Sequence, residues 1–300
     1  MKKKAIDFIF LGNYYIGLLA IALSMETAFQ LKVPLCDGLY YLIVALATII
    51  YYTYAYSDLP FAFTSYNYRT AWYNRNKKMM RRSQIILTSI FLLASIWYFF
   101  KYISHIHYLV FEDYFVGFSM LFAGILYYGI LPKSFLNLRK TGWLKAFTIG
   151  FVWACCVSIL PLLAIKLEYN YPQPSTDLIF WYFLKNWMFC SVNAIMFDIK
   201  DYEDDSNKQL KTFVVRVGLK RTINYILIPL LSLGLVCFSI FAWNISMHWQ
   251  TYLLNLLPFL LCFLITLSMK KKKSLLYYLI VIDGVLFIKA FCGIAGSLIH

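Results

Sequence analysis

Apolar residues in this chain come in long blocks separated by short polar segments. Nine runs, at about 6–25, 39–57, 84–103, 109–131, 143–166, 178–197, 223–244, 250–269 and 275–297, approach the ~20 residues a helix needs to cross a hydrocarbon layer of ~30 Å. The pattern predicts an all-α polytopic membrane protein of nine transmembrane helices, with residues 1–300 forming a single transmembrane domain. Lys2-Lys3-Lys4 ahead of the first run mimic a secretory leader. Asn13, Tyr14 and Tyr15 interrupt that run and no small-residue cleavage site follows, so an uncleaved first helix is expected. Pro60 ends the second run. Polar groups inside the runs carry most information, because a charge in mid-membrane is expensive and usually faces a cavity. Lys185 and Asn186 form one such place, and Asp283 and Lys289 another. The last two stand at i and i+6, a spacing that does not face one toward the other.

Composition agrees with the pattern. Hydrophobic residues make up 61% and charged residues 14%, with a mean hydropathy of +0.66, which excludes an ordinary soluble domain. The net charge of +14 would suit nucleic acid were it not for its distribution. Basic residues gather before run 1 and between runs 2 and 3, 4 and 5, 6 and 7, and 8 and 9. The opposite connections hold only Lys32, Lys101 and Lys166. Such alternation is topogenic: it sets the N-terminus and the basic connections in the cytoplasm and His300 outside. Membrane lipids, not nucleic acid, are the expected surroundings, in a multi-pass protein of a bacterial inner membrane. The seven cysteines are scattered, without a C-x-x-C pair, and read as small apolar side chains. His105 and His107, two residues apart, would point to different faces of a helix and do not suggest a metal site. There is no phosphate-cradling glycine loop and no Ser/His/Asp arrangement.

Candidate chemistry concentrates in residues 193–218, which begin at Asn193. The chain has 14 acidic residues in all, and Asp198, Asp201, Glu203, Asp204 and Asp205 crowd together here. Asp198, Asp201 and Asp205 stand at i, i+3 and i+7, one turn apart on one helical face. Like charges so arranged repel, and at a helix C-terminus the macrodipole adds to the penalty. A cation on that face would relieve both. A row of hard oxygen ligands suits Mg²⁺, which binds a few carboxylates together with phosphate oxygens. The plain alternative is a solvated acidic loop after a membrane helix. Lys211, Thr212 and Arg216 follow the cluster. After run 2 the chain is polar, aromatic and basic. There Arg69, Arg75 and Lys77 would either grip a diphosphate or only orient the loop at the headgroups.

The stretch resembles the second aspartate-rich motif of the UbiA superfamily of intramembrane prenyltransferases, D-x-x-D-x-x-x-D-x-x-x-G-x-x-T…G. Asp198, Asp201, Asp205, Thr212 and Gly218 fall in register, with Gln209 in place of the glycine before the threonine. The family's first motif, N-x-x-x-D-x-x-x-D, is degenerate here: Tyr54, Asp58 and Ala62 occupy its positions, so one group of three remains. Tyr128, Arg139 and Lys140 are similar in kind to a Tyr-Pro…Lys-Arg stretch that contributes to the diphosphate site in relatives, at a longer spacing. The resemblance implies a UbiA-like helical bundle with a cytoplasm-facing polar chamber. In it Asp198, Asp201 and Asp205 would hold Mg²⁺ as the catalytic groups. Asp58, Arg69, Arg75, Tyr128, Arg139, Lys140, Asn193 and Lys211 would contact substrate.

The reaction so implied is Mg²⁺-dependent transfer of a prenyl group from an isoprenoid diphosphate donor to a lipid-soluble or aromatic acceptor within the membrane. The eroded first motif leaves two rivals open. One is a phosphosugar transferase acting on a polyprenyl phosphate with the same scaffold. The other is a non-catalytic relative that binds an isoprenoid lipid.

Overall fold

A computed structural model describes residues 2–57, 68–128, 142–202, 211–271 and 273–299. All regular structure among them is helical. We label the continuous helices α1 (Lys2–Leu11), α2 (Tyr14–Gln30), α3 (Gly38–Ser57), α4 (Tyr68–Arg75), α5 (Lys77–Tyr102) and α6 (Phe111–Tyr128). Then come α7 (Trp143–Tyr169), α8 (Thr176–Lys200), α9 (Phe213–Val217), α10 (Leu219–Asn244), α11 (Trp249–Ser268) and α12 (Leu275–Leu298). Among the described residues, five helices are long and apolar enough to cross a membrane: α5 with its 3₁₀ extension to Tyr108, α7, α10, α11 and α12. The other expected spans are less clear-cut. α2 has 17 residues, and α8 carries Asp177, Lys185, Asp198 and Lys200 along its length.

Packing runs in a closed sequence. α3 lies against α2, α2 against α12, and then α11, α10, α8, α7 and α6 follow in turn. Two contacts shut the circle: the Trp153 indole donates to the Tyr52 hydroxyl at 2.5 Å, and the Tyr51 hydroxyl to the Gly124 carbonyl at 3.4 Å. Residues without a Cβ permit the closest approaches. A Cβ on Gly150 of α7 would sit 2.2 Å from Ser191 Oγ of α8. α5 packs on α3 and turns most of its apolar surface outward, with Ile85, Leu93, Trp97 and Phe100 all exposed. Such a surface belongs against lipid rather than water.

Three of the long helices contain one wide π turn: Cys155–Ile159 in α7, Ile223–Leu227 in α10 and Tyr278–Ile282 in α12. In the first two a proline follows at once, Pro161 and Pro229. Proline lacks the N–H for an α bond and its ring presses on the preceding turn. The wide turn takes up that misfit without ending the helix.

The first expected span, 6–25, is not one helix. It breaks at Gly12-Asn13, where Asn13 takes the left-handed conformation with φ 64°, which asparagine tolerates better than most residues. The break is held by side chains. Asn13 Nδ2 donates to Thr53 Oγ1 at 3.1 Å and to the Tyr73 hydroxyl at 3.2 Å. Tyr73 in turn donates to the Leu11 carbonyl at 3.0 Å, so a carbonyl left over at the end of α1 is satisfied.

The core is apolar apart from a charged centre. Glu26 of α2, fully buried, receives both Nζ contacts of Lys289 from α12, at 2.9 and 2.7 Å. Lys185 of α8 lies 3.8 Å from the same carboxylate and donates to Gln30 Oε1 at 2.8 Å. Gln30 continues to Asn255 Oδ1 of α11 at 2.7 Å. The Lys185 ammonium also stands 4.2 Å from the Tyr182 ring centre and 5.4 Å from that of Phe241. Four helices are tied together by this network, with every charge contacting an opposite or a dipolar partner.

Candidate functional site

α8 brings the first two aspartates of the acidic stretch to one end of the bundle, and its last turn decides how they point. The helix ends at Lys200, and Asp201 is its C-cap with φ −89° and ψ 9°. Asp198 therefore belongs to the helix proper and Asp201 to the turn that closes it. Asp198 is 2% exposed and meets Lys145 of α7 at 2.7 Å. Asp201 lies 3.1 Å from Lys200 Nζ. The expected row on one face thus takes separate partners at its first two members. Asp205, the third, lies outside the described residues, as do Asp58, Arg139 and Lys140 and the side chain of Tyr128. Among the described residues no three His, Cys, Asp or Glu side chains gather around a common point.

Other sequence candidates fall in three places. Arg69 is buried at the same end, where its guanidinium donates to Asn13 Oδ1 and reaches the Leu11 carbonyl at 3.5 Å. Asn193, 6% exposed and two turns before Asp201, donates to the Ile282 carbonyl at 3.5 Å. It lines a narrow gap with Phe189, Met196, Cys262, Ile265, Ile282 and Val285. Arg75 and Lys211 are exposed. The helices explain the grouping: α7 begins and α8 ends here, and the α4 segment folds back over the break between α1 and α2.

Asp283 joins the same end from α12. It is 7% exposed, and both Arg69 and Lys200 act on its carboxylate electrostatically. The end therefore carries Asp198 with Lys145 and Asp201 with Lys200, while Asp283 is buried on α12 next to the Ile282 carbonyl that Asn193 meets. Alternating carboxylates and cations of this kind can bind a metal–phosphate pair, since carboxylates take the metal and cations take the phosphate oxygens. Hard carboxylate oxygens suit Mg²⁺.

Sequence reasoning did not pick out Glu26 or Lys145. Glu26 has a visible signal, a lone acid one residue beyond the first apolar run. Lys145 is hidden among topogenic lysines, and only its distance to Asp198 separates it from them.

The opposite end is a contrasting polar layer. Glu168 accepts from the Asp37 backbone N–H at 2.8 Å and from Tyr98 at 2.7 Å. Asp37 accepts from Tyr102 at 2.8 Å and pairs with Lys101. Hydrogen bonding to Lys101 holds the Asp37 carboxyl below its ordinary range. Lys166 and Asp113 pair at 2.6 Å. The seven cysteines are unbridged, and all but Cys156 are fully buried. No protein-family model, curated protein or solved structure matches this chain.

Proposed function

We propose that the Asp198 end of the bundle receives an isoprenoid diphosphate together with Mg²⁺, and that the protein transfers the prenyl group to a lipid-soluble acceptor inside the membrane. One observation carries this reading. A buried carboxylate, Asp198, and a second, Asp201, stand one turn apart where an apolar bundle ends, each with a lysine against it. The resemblance to UbiA-type prenyltransferases supports it from the sequence side. We take the chain to cross the membrane nine times, with this end in the cytoplasm, as the basic connections favour.

Asp198 and Asp201 would hold the metal, with Asp205 and Asp58 as further ligands implied by the resemblance. Bound Mg²⁺ would neutralise charge that gathers on the leaving diphosphate. Lys145, Lys200 and Arg69 would donate to phosphate oxygens and stabilise the same charge from fixed positions. The allylic C–O bond breaks with its electron pair going to the diphosphate. The acceptor supplies the pair for the new bond and gives up a proton. Apolar helices around the site would house the isoprenoid tail and exclude water that would otherwise capture the carbocation.

The test is a titration of the purified protein with Mg²⁺ and a non-hydrolysable prenyl diphosphate. Asp198→Asn and Asp201→Asn should each weaken binding by about tenfold or more. Asp113→Asn, at the other end, should leave it unchanged. Equal binding by all three variants and the parent protein would refute the reading. The closed Lys145–Asp198 contact favours a second reading, an isoprenoid-binding protein without turnover. Binding with no diphosphate released in the presence of candidate acceptors would select it.

A further inference from the structure

The charged centre of the core holds more positive than negative charge. Lys185 and Lys289 share the single carboxylate of Glu26, and all three side chains are buried. Among the described residues no fourth charged side chain contacts them. With all three ionised, the centre carries one excess positive charge inside an apolar bundle, where such a charge is expensive. The two lysines are not equivalent. Lys289 meets both carboxylate oxygens, at 2.9 and 2.7 Å. Lys185 stays 3.8 Å from the nearer one, and its one hydrogen bond, of 2.8 Å, goes to the neutral amide of Gln30. Its charge is otherwise supported only by the rings of Tyr182, Phe241 and Phe238, with centres 4.2, 5.4 and 5.6 Å away. The excess charge therefore belongs to Lys185. A neutral amine fits the same place, since it keeps an N–H for Gln30 and leaves Glu26 and Lys289 balanced one to one. A polar route leads away from it. Gln30 Nε2 donates to Asn255 Oδ1 at 2.7 Å, Asn255 Nδ2 to the Thr251 carbonyl at 2.9 Å, and Thr251 Oγ1 to the Gly296 carbonyl at 2.9 Å. The route runs to the end where α2 stops, α11 starts and α12 stops, opposite Asp198. Two glycines of α12 make room for it. A Cβ on Gly293 would lie 2.7 Å from Gln30 Nε2, and one on Gly296 would lie 3.1 Å from Asn255 Nδ2.

We propose that Lys185 is a proton-binding site inside the bundle, exchanging its proton with solvent at that end while Glu26 and Lys289 stay ionised. The N–H bond breaks with its electron pair kept on nitrogen, and the proton passes to water. The site stands independently of the function proposed above. Around it, α2 presents Glu26, α12 presents Lys289, α11 presents the uncharged amide of Asn255, and α10 presents only rings. The Tyr182 hydroxyl and the Cys190 and Cys292 thiols are the other titratable groups within electrostatic reach of Glu26. All three are neutral in their protonated forms and do not alter the charge count. With its proton bound, Lys185 attracts the Glu26 carboxylate and the ring faces, tying α8 to α2 and α10. Without it, the hydrogen bond to Gln30 remains and the attractions are lost. Loading the site thus tightens the hold on the helix whose far end carries Asp198 and Asp201.

Nuclear magnetic resonance of the full-length protein in detergent, with ¹³C-labelled lysine side chains, provides the test. In the parent protein one lysine signal should shift between two limits over a pH range in which every other lysine signal stays fixed. That signal should be absent from Lys185→Met and present in Lys289→Met. Lys185→Arg keeps the positive charge on a group that does not give up its proton, and it makes the same assignment should the methionine variant fail to fold. A parent spectrum in which no lysine signal moves ahead of the rest would overturn the proposal without any variant. Assignment of the early signal to Lys289 or to an exposed lysine would overturn it as well.

Discussion

Glu26 and Asp283 are both carboxylates buried in the bundle, but their surroundings are opposite. Glu26 is enclosed by Lys289 and Lys185 with Gln30 beside them, and Gly293 is so close that a Cβ there would lie 2.5 Å from Glu26 Cγ. Asp283 has only distant cations. The first arrangement is complete, and its charges hold helices together. The second makes no such contact and ties no helices together. Burial alone therefore does not show that a carboxylate holds helices together. The number of contacts each has already made does.

The largest way to break this comparison is at Glu26. Glu26→Ala leaves two buried ammonium groups facing each other and should cost about 3–5 kcal/mol, seen as a fall in thermal unfolding temperature in detergent. Pairing Glu26→Leu with Lys289→Met should cost clearly less than the sum of the single changes. A full sum would mean that the contact contributes nothing. Gly293→Ala comes next. The new methyl must displace the Glu26 side chain, and about 1–3 kcal/mol is expected from overpacking. Unchanged stability would show that α2 and α12 are less tightly apposed than described.

Asp283→Asn is predicted to behave in the opposite sense. Replacing a buried carboxyl that has no contact partner should leave stability unchanged or raise it by about 1 kcal/mol. A loss as large as that at Glu26 would make the two carboxylates equivalent and end the contrast.

The smallest effect belongs to the far end. Because Lys101 holds the Asp37 carboxyl below its ordinary range, the contribution of Asp37 is complete above the unfolded value of about 4. It disappears as the pH falls through the lower folded value. Asp37→Asn should flatten acid unfolding in that window and lower stability at neutral pH by the same small amount, since Lys101 is exposed and salt screens the pair.

Much of the architecture is legible in the apolar runs, because hydrophobic length is a property of a segment by itself. α7, α10, α11 and α12 coincide closely with the runs at 143–166, 223–244, 250–269 and 275–297. The break at Gly12-Asn13 is less legible, since it depends on Tyr73 and Arg69, about sixty residues away. The i, i+6 spacing correctly separates Asp283 from Lys289, yet nothing local says that Lys289 turns to Glu26. Within the candidate site, the helical spacing of Asp198 and Asp201 is a sequence fact. Their different neighbours follow from where α8 stops, which the continuous acidic stretch conceals. The pairing of Lys145 with Asp198 could be found only by bringing distant helices together.

The wide turn at Tyr278–Ile282 works like one extra letter inserted in a word. Everything after it is read in a shifted frame, so the faces before and after the turn are set by different counts. Deleting a single residue within the turn would restore ordinary helical spacing and rotate one half of α12 by about 100° relative to the other. Lys289 could then keep its place against Glu26 only if Tyr278 left Phe197. A one-residue deletion in an otherwise tolerant apolar helix would thus do more harm than most substitutions along it.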